Sequence, residues 1–456
     1  MLNVMRQSLK HCGQELLSGI PVFDDIDYGR YAGKSGRCPN LSPNMPRVVK
    51  FSGGRSSGML LFILLQSGLL KASRGDVVLF NNTSAEHPKT YDFVAKCKDV
   101  VEGHFGIPFF WIEFQTVEDA RGSRGSSEWL RLRSYRLVNH RPHSEDNPNG
   151  YRYRGEVFEE MLSYTGYTPN QFSRVCTKAM KLDVTMAFLK NWFLCREKID
   201  VQGHHYAASR LTDDGVYAAH VQNSGKVPRD IFLAKKKYLR SCTRNRPEQY
   251  YADYSSAFKR IENPYLMSRR GAKVGWLKDE IQYVSFVGIR HDEPKRVARI
   301  KGLRSCNAGE YDAEYISMPL DKMEVTKEDV NNFWKGQDWL GLPPDVDLSN
   351  CVYCFLKGPR KLHGVHQAME ALMLNGLKDA IIGTPADVNW WADMEQKYSR
   401  DLIAERRETL FQDEEAFIGF FGRSKKFSYR ALADGHTQEP CSADFNADLP
   451  ACECTD

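Results

Sequence analysis

From Arg47 the chain passes from a short β-branched run, ending at Phe51, directly into Ser52-Gly53-Gly54-Arg55-Ser56-Ser57-Gly58 and then into an apolar stretch from Met59 to Leu70. This feature constrains the fold more than any other, because it reads as strand, tight loop and buried helix with no spare residue between them. A loop of that kind turns backbone N–H groups and a helix N-terminus toward one point, and such a point attracts phosphate. Glycines let the backbone approach an anion closely, serines add hydroxyl donors, and Arg55 adds a charge with fork geometry. Ser52, Gly53, Gly54, Arg55, Ser56 and Ser57 are therefore candidate nucleotide-binding residues.

A second unit of the same design follows. Asp76 to Phe80 has the pattern of a buried strand, Asn81 to Pro88 is a polar loop, and Thr90 to Gly103 has helical spacing through Tyr91, Phe93, Val94 and Val101. Pro108 to Phe114 supplies a third strand, and Gln282 to Ile289 another, ending at Arg290-His291-Asp292-Glu293. Strands alternating with helices predict an α/β fold, a doubly wound and mostly parallel sheet, with ligands at the carboxyl ends of its strands. Thr326 to Trp334 is expected to be a helix, with Thr326 as N-cap and Asp329 in the first turn.

The chain has 456 residues, enough for one large core with additions or for two domains. With 42% hydrophobic and 27% charged residues it has the composition of a globular protein rather than a disordered one. Met1 to Gly19 lacks the uninterrupted apolar centre of an export signal. Met59 to Leu70 is too short to cross a bilayer, which takes roughly 20 residues. These features predict a cytoplasmic, non-membrane protein. In that compartment the twelve cysteines are expected to be thiols or metal ligands rather than disulfides.

Four regions are expected: an irregular leader over 1–46, a core over 47–360 with insertions at about 116–170 and 203–275, a helical region over 361–435, and a Cys-containing tail over 436–456. Both insertions are basic. Arg121 to Arg154 interleaves eight arginines with Trp129, Tyr135 and Tyr151, and Lys226 to Arg246 includes Lys235, Lys236 and Lys237. Basic loops with aromatics suit a nucleic-acid backbone and its bases, although solvated surface loops have the same composition. Cys351-x-x-Cys354 has the spacing of a zinc or iron–sulfur site, the plain alternative being buried thiols. At Arg290 a strand-end arginine can pair bidentately with phosphate, and Asp292 or Glu293 can hold Mg²⁺ or form a surface ion pair with Lys295 or Arg296.

Taken together, these elements resemble the phosphoadenosine-phosphosulfate-reductase family of PP-loop ATP pyrophosphatases. Ser-Gly-Gly-x-x-Ser after the first strand resembles the PP-loop. Asn82-Thr83-Ser84, with Glu86-His87-Pro88 and Thr90, is similar to the family's adenosine-holding segment. Arg174-Val175-Cys176-Thr177 resembles its paired-cysteine segment, Gly288-Ile289-Arg290 with Glu293 its Gly-x-Arg strand end, and Cys351-x-x-Cys354 the second half of its iron–sulfur site.

The resemblance implies a Rossmann-like PP-loop fold that binds ATP or another adenine nucleotide with Mg²⁺. It also implies Arg55, Arg290 and Glu293 as catalytic residues, Asn82, Thr83 and Gly288 among the nucleotide contacts, and Cys176, Cys351 and Cys354 as ligands of a 4Fe-4S cluster. The family's adjacent cysteine is replaced by Val175, so the fourth ligand is Cys306, one of Cys441, Cys452 and Cys454, or open. The intact loop implies ATP-dependent activation coupled to sulfur transfer, with nucleic acid and a sulfur donor as partners. The alternatives are a sulfonucleotide reductase served by a thioredoxin-like donor, although its Glu-Cys-Gly-Leu segment is missing, and a non-catalytic nucleotide-sensing or defence-complex subunit.

Overall fold

The computed structural model describes residues 43–119, 128–196, 207–209, 252–270, 281–303, 314–335, 351–401, 417–422 and 427–435. Most of the leader, the basic segment 226–246, Cys306 and the whole tail with Cys441, Cys452 and Cys454 lie outside the described residues.

Eight strands form the main sheet: β1 Arg47–Phe51, β2 Val77–Asn82, β3 Phe109–Asp119, β4 Glu128–Pro142, β5 Gly150–Tyr151, β6 Ala207–Ser209, β7 Tyr283–Phe286 and β8 Glu314–Ser317. Their order is β5-β4-β3-β2-β1-β7-β8, with β6 pairing β4. The five strands β3-β2-β1-β7-β8 are parallel throughout. Their sequences contain near-continuous apolar runs, as strands covered on both faces must.

Alternation decides which residue faces which layer. Val48 of β1 with Val77 and Leu79 of β2 join one core, while Val49, Phe51, Val78 and Phe80 join the other. The second core is completed by α1 Arg55–Gln66 and α2 Pro88–Gly103. The first is completed by α3 Glu156–Thr165 and α4 Asp183–Phe193. The fold is thus α/β, with a mostly parallel sheet between helices. In α1, ten residues from Ser56 to Leu65 are buried, including seven large apolar side chains that each contribute roughly 1.5–3 kcal/mol when fully buried.

Beyond the sheet lie α5 Pro294–Leu303, α6 Lys327–Trp334, α7 Gly358–Leu372, α8 Val388–Tyr398 and α9 Tyr429–Ala433. Thr326 and Asp329 form a reciprocal capping box on α6, as their spacing predicts. The region after 361 is not helical throughout: Arg400–Asp401 and Phe417–Ile418 pair as two antiparallel strands. Trp390 and Trp391 are buried against Phe158 and Phe420, so they form part of the core rather than an exposed platform.

The first basic insertion corrects expectation most. It contributes β4, a fifteen-residue strand antiparallel to β3 that widens the sheet. Arg136 is 1% exposed and paired with Glu113, Arg152 bonds the same carboxylate, and Arg133 pairs with Asp183. Tyr135 and Tyr151 are buried, Tyr151 stacking on Tyr91 at 4.6 Å. These residues hold the sheet together, whereas Arg141 and Arg154 of the same insertion are exposed.

Candidate functional site

β1 and β7 are neighbours whose chains leave in opposite directions: β1 passes through α1 to β2 on one side, and β7 passes through α5 to β8 on the other. The crevice at the carboxyl ends of such a pair is where ligands sit in open α/β sheets. The glycine-rich loop and the Gly288-Ile289-Arg290 segment both open into it.

In the loop, Ser57 Oγ donates to the Gly54 carbonyl at 2.9 Å and lies 2.9 Å from Ser52 Oγ. The Gly54 N–H donates to Ser52 Oγ at 3.3 Å. Ser52 and Ser57 therefore shape the loop from within. Gly53 has a φ of +79°, and a Cβ there would fall 2.8 Å from Thr90 Cγ2 and 2.9 Å from Val94 Cγ2, so only glycine fits. Gly54 is the N-cap of α1, and no side chain caps that helix end. No acid stands in the first turn either, which leaves its partial positive charge for an incoming anion.

Two arginines were expected at this point, and the structure separates them. Arg55 Nη1 donates to Asn331 Oδ1 of α6 at 2.8 Å, and Trp334 Nε1 donates to the Arg55 carbonyl at 2.9 Å. Arg55 thereby docks α6 on α1. Arg290, 7% exposed, brings its Nη1 to Ser56 Oγ at 2.9 Å and its Nε to Asp292 at 2.9 Å. It is Arg290 that sets a guanidinium against the first turn of α1. Gly288 permits this approach, since a Cβ there would meet Ser57 Cα at 2.9 Å and Ser57 N at 3.0 Å.

Both carboxylates of the segment are engaged. Glu293 accepts the Arg290 N–H at 3.0 Å and pairs with Arg296, while Asp292 also accepts the Lys327 N–H at 3.1 Å. Of the two expectations for Glu293, the ion pair with Arg296 is present. Mg²⁺ binding would require it to exchange that partner.

Asn82 and Thr83 are fully buried at the end of β2. The Asn82 amide donates to Glu113 at 2.6 Å and to the Arg152 carbonyl at 2.7 Å, and its oxygen accepts the Ser84 N–H at 2.8 Å. Thr83 Oγ1 donates to Glu86 at 2.6 Å and stands 3.4 Å from Cys351 Sγ. These side chains brace the segment rather than reach into the crevice. Ser84 has a φ of +60°, a conformation few non-glycine residues adopt, and its hydroxyl accepts the Val157 N–H at the start of α3. The β2–α2 segment thus touches the phosphate-loop candidate through Thr90 and the cysteine site through Thr83.

Val352 N–H donates to the Ala85 carbonyl at 2.9 Å, and Cys354 N–H to the Cys351 carbonyl at 3.1 Å, which fixes the Cys-x-x-Cys turn against this segment. Cys351 is buried, and Cys354 and Cys176 are half-buried; none is in a disulfide. All three lie within electrostatic reach of the Tyr429 hydroxyl, whose ionisation is pushed far up by burial first and then by Cys354, Glu395, Cys351 and Cys176. The three expected ligands thus share one neighbourhood. Among the described residues, no group of three His, Cys, Asp or Glu side chains closes round a single metal ion.

Tyr429 escaped the sequence reading, and the link between Glu395 and the cysteine turn was not foreseen. Tyr429 donates to the Tyr353 carbonyl inside the Cys-x-x-Cys turn, and Glu395 accepts the Tyr429 N–H at 2.9 Å. Burial pushes the Glu395 carboxyl up to about 7. Neither residue lies near the cysteines in sequence, although Glu395 shares a helix face with the buried Trp391, four positions before it.

Compared with known proteins, the chain matches no family model, none of the curated proteins and no solved structure. Among the described residues no helix is long and apolar enough to cross a membrane.

Proposed function

We propose that the chain is a cytoplasmic adenine-nucleotide-binding enzyme of the PP-loop kind, resembling the phosphoadenosine-phosphosulfate reductases, that activates a substrate with ATP and couples this to sulfur transfer. The observation that carries the proposal is the uncapped N-terminus of α1 at the switch point of a parallel sheet, with the Arg290 guanidinium 2.9 Å from Ser56. In this reading the first turn of α1 binds the outer phosphates, and Arg290 offsets the charge that grows on the departing pyrophosphate. Asp292 orients Arg290, and Glu293 would be the ligand for a Mg²⁺ that offsets phosphate charge, on exchanging its Arg296 partner.

Cys176, Cys351 and Cys354 are soft thiol ligands of the type an iron–sulfur cluster of the 4Fe-4S kind would use. When bound, the cluster would supply a site for exogenous sulfur or for electrons. Glu86 and Thr83 hold the Cys351 turn in place, and Tyr429 closes it from behind. Nucleic acid remains the proposed acceptor through the segment 226–246 and the exposed Arg141 and Arg154, since Arg133, Arg136 and Arg152 are paired internally.

The test is anaerobic purification of wild type and Cys354→Ala with iron, sulfide and zinc analysis, followed by pyrophosphate release from ATP. About four irons per chain, lost in the variant, together with pyrophosphate release are expected. Sulfite release from a phosphosulfate nucleotide with a reduced thioredoxin-like donor, without pyrophosphate, would replace this reading by reduction. Nucleotide binding with neither product would make the chain a sensing subunit.

A further inference from the structure

The first turn of α2 carries two polar atoms that the fold buries and leaves without a partner. His87, the N-cap residue, is 1% exposed, and its Nδ1 accepts the Lys89 N–H at 3.0 Å. The neutral ring therefore keeps its proton on Nε2. That Nε2 has no hydrogen-bond partner, and neither has Thr90 Oγ1, which is fully buried. A buried donor without an acceptor is costly in the ligand-free state, and here two fall within one helical turn.

Both signs of charge lie nearby: the buried Glu86 carboxylate accepts the Tyr91 hydroxyl of the same helix at 3.0 Å, and Lys89 and Lys357 act on His87. Burial first, then Lys89 and Lys357, push His87 down to about 4, so the ring stays a neutral donor near neutral pH. The backbone of this turn is already used, Lys89 N–H by the His87 ring and Thr90 N–H by the His87 carbonyl at 2.8 Å. The unmet donors are therefore side chains. The Thr90 methyl lies 2.8 Å from where a Cβ on Gly53 would stand, which puts the pair beside the α1 loop. Thr83 and Ala85, on the same β2–α2 segment, reach Cys351 and Val352.

We infer that His87 Nε2 and Thr90 Oγ1 form a second oxyanion subsite between the α1 loop and the cysteines, which takes a sulfo or phosphoryl group. Two neutral donors within the field of two lysines suit a tetrahedral oxyanion, whose several oxygens can accept from both. The inference rests on α1 being the nucleotide loop. It adds a place for the anionic group that reacts, or that accompanies the nucleotide, on the cysteine side.

The experiment is calorimetric titration of the anaerobically purified full chain with ATP, with inorganic sulfate, and with sulfate at saturating ATP. The proteins are wild type, Thr90→Val, His87→Asn and Gly288→Ala. Thr90→Val keeps the methyl beside Gly53 and deletes the hydroxyl. His87→Asn keeps an acceptor for the Lys89 N–H and deletes the distal donor.

Each of these two variants is expected to bind sulfate about tenfold more weakly. Without anions, Thr90→Val should melt no lower than wild type, because it removes an unsatisfied buried group, whereas a purely structural hydroxyl would lower the melting temperature. If ATP excludes sulfate and Thr90→Val weakens both, the subsite belongs to the nucleotide's own oxyanion. If sulfate binds alongside ATP and only sulfate is weakened, it belongs to a separate sulfur oxyanion. Thr90→Val binding both probes as wild type does, or wild type binding no sulfate while Thr90→Val leaves ATP affinity unchanged, overturns the inference. Loss of ATP binding in Gly288→Ala alone would sink the subsite and leave the α1 reading in place. Loss of sulfate in Thr90→Val with ATP binding intact in Gly288→Ala would do the reverse.

Discussion

Replacing Gly288 by alanine tests the placement of the phosphate with a single methyl group. The new Cβ would stand 2.9 Å from Ser57 Cα, 3.0 Å from Ser57 N and 3.2 Å from the Ser56 carbonyl carbon. Unstrained carbon contacts lie at about 3.5–4.0 Å, so the first turn of α1 must retreat by roughly 0.5–1 Å. The obstacle is backbone, not the end of a flexible side chain, and it belongs to a helix buried along ten residues. Overpacking of that kind costs about 1–3 kcal/mol. The same retreat draws the α1 N–H groups and Ser56 away from Arg290, and the loss of one hydrogen bond to a charged group is about 1.5–3 kcal/mol, or tenfold or more in affinity. Thermal unfolding and ATP titration read the two effects separately. A lower melting temperature with wild-type ATP affinity would keep the packing argument and remove phosphate from α1. Wild-type values in both would refute the geometry itself.

Further outcomes are expected elsewhere. Glu113→Gln should destabilise the protein by about 3–5 kcal/mol in denaturant unfolding, because Arg136 and Arg152 would be left with a neutral partner in the interior; a change under 1 kcal/mol would show that the arginines find other acceptors. Glu395 has an ordinary value of 4.5 that burial raises to about 7 in the fold, so the folded chain holds a proton that the unfolded chain releases between those values. Its contribution is complete below about 4.5 and is lost as pH rises through 7, roughly 3 kcal/mol in all. Glu395→Gln should flatten that part of the stability profile and melt higher than wild type at pH 8, and an unchanged profile would exclude Glu395 as its source. Arg55→Ala is expected to weaken the docking of α6, seen as a lower melting temperature, with less than a tenfold effect on ATP affinity; Arg290→Ala should lower ATP affinity tenfold or more.

Much of the fold was legible because its signals are local. The β1–α1 unit is written in consecutive residues, and the α6 cap needs only Thr326 and Asp329, three positions apart. The β4 strand was misread for the opposite reason. Leu132-Arg133-Ser134-Tyr135-Arg136-Leu137 lacks a clean alternation and its local composition shows chiefly the arginines, while the carboxylates that neutralise them, Glu113 and Asp183, lie 23 and 50 residues away. At the site, residue types were legible and directions were not. That Arg290 rather than Arg55 faces the first turn of α1 depends on Asn331, a residue of α6 with no signature of its own. The roles of Tyr429 and Glu395 depend likewise on a return of the chain that no short-range pattern announces.

The missing cap on α1 has a practical consequence. A helix that ends without an acceptor is completed by whatever anion settles there, so occupancy and folding free energy become one quantity, and the gain grows with ligand concentration over its dissociation constant. The melting curve of the intact chain is then itself a screen. Nucleotides, sulfonucleotides and simple anions can be ranked by the temperature at which the protein unfolds in their presence, without an assay of turnover.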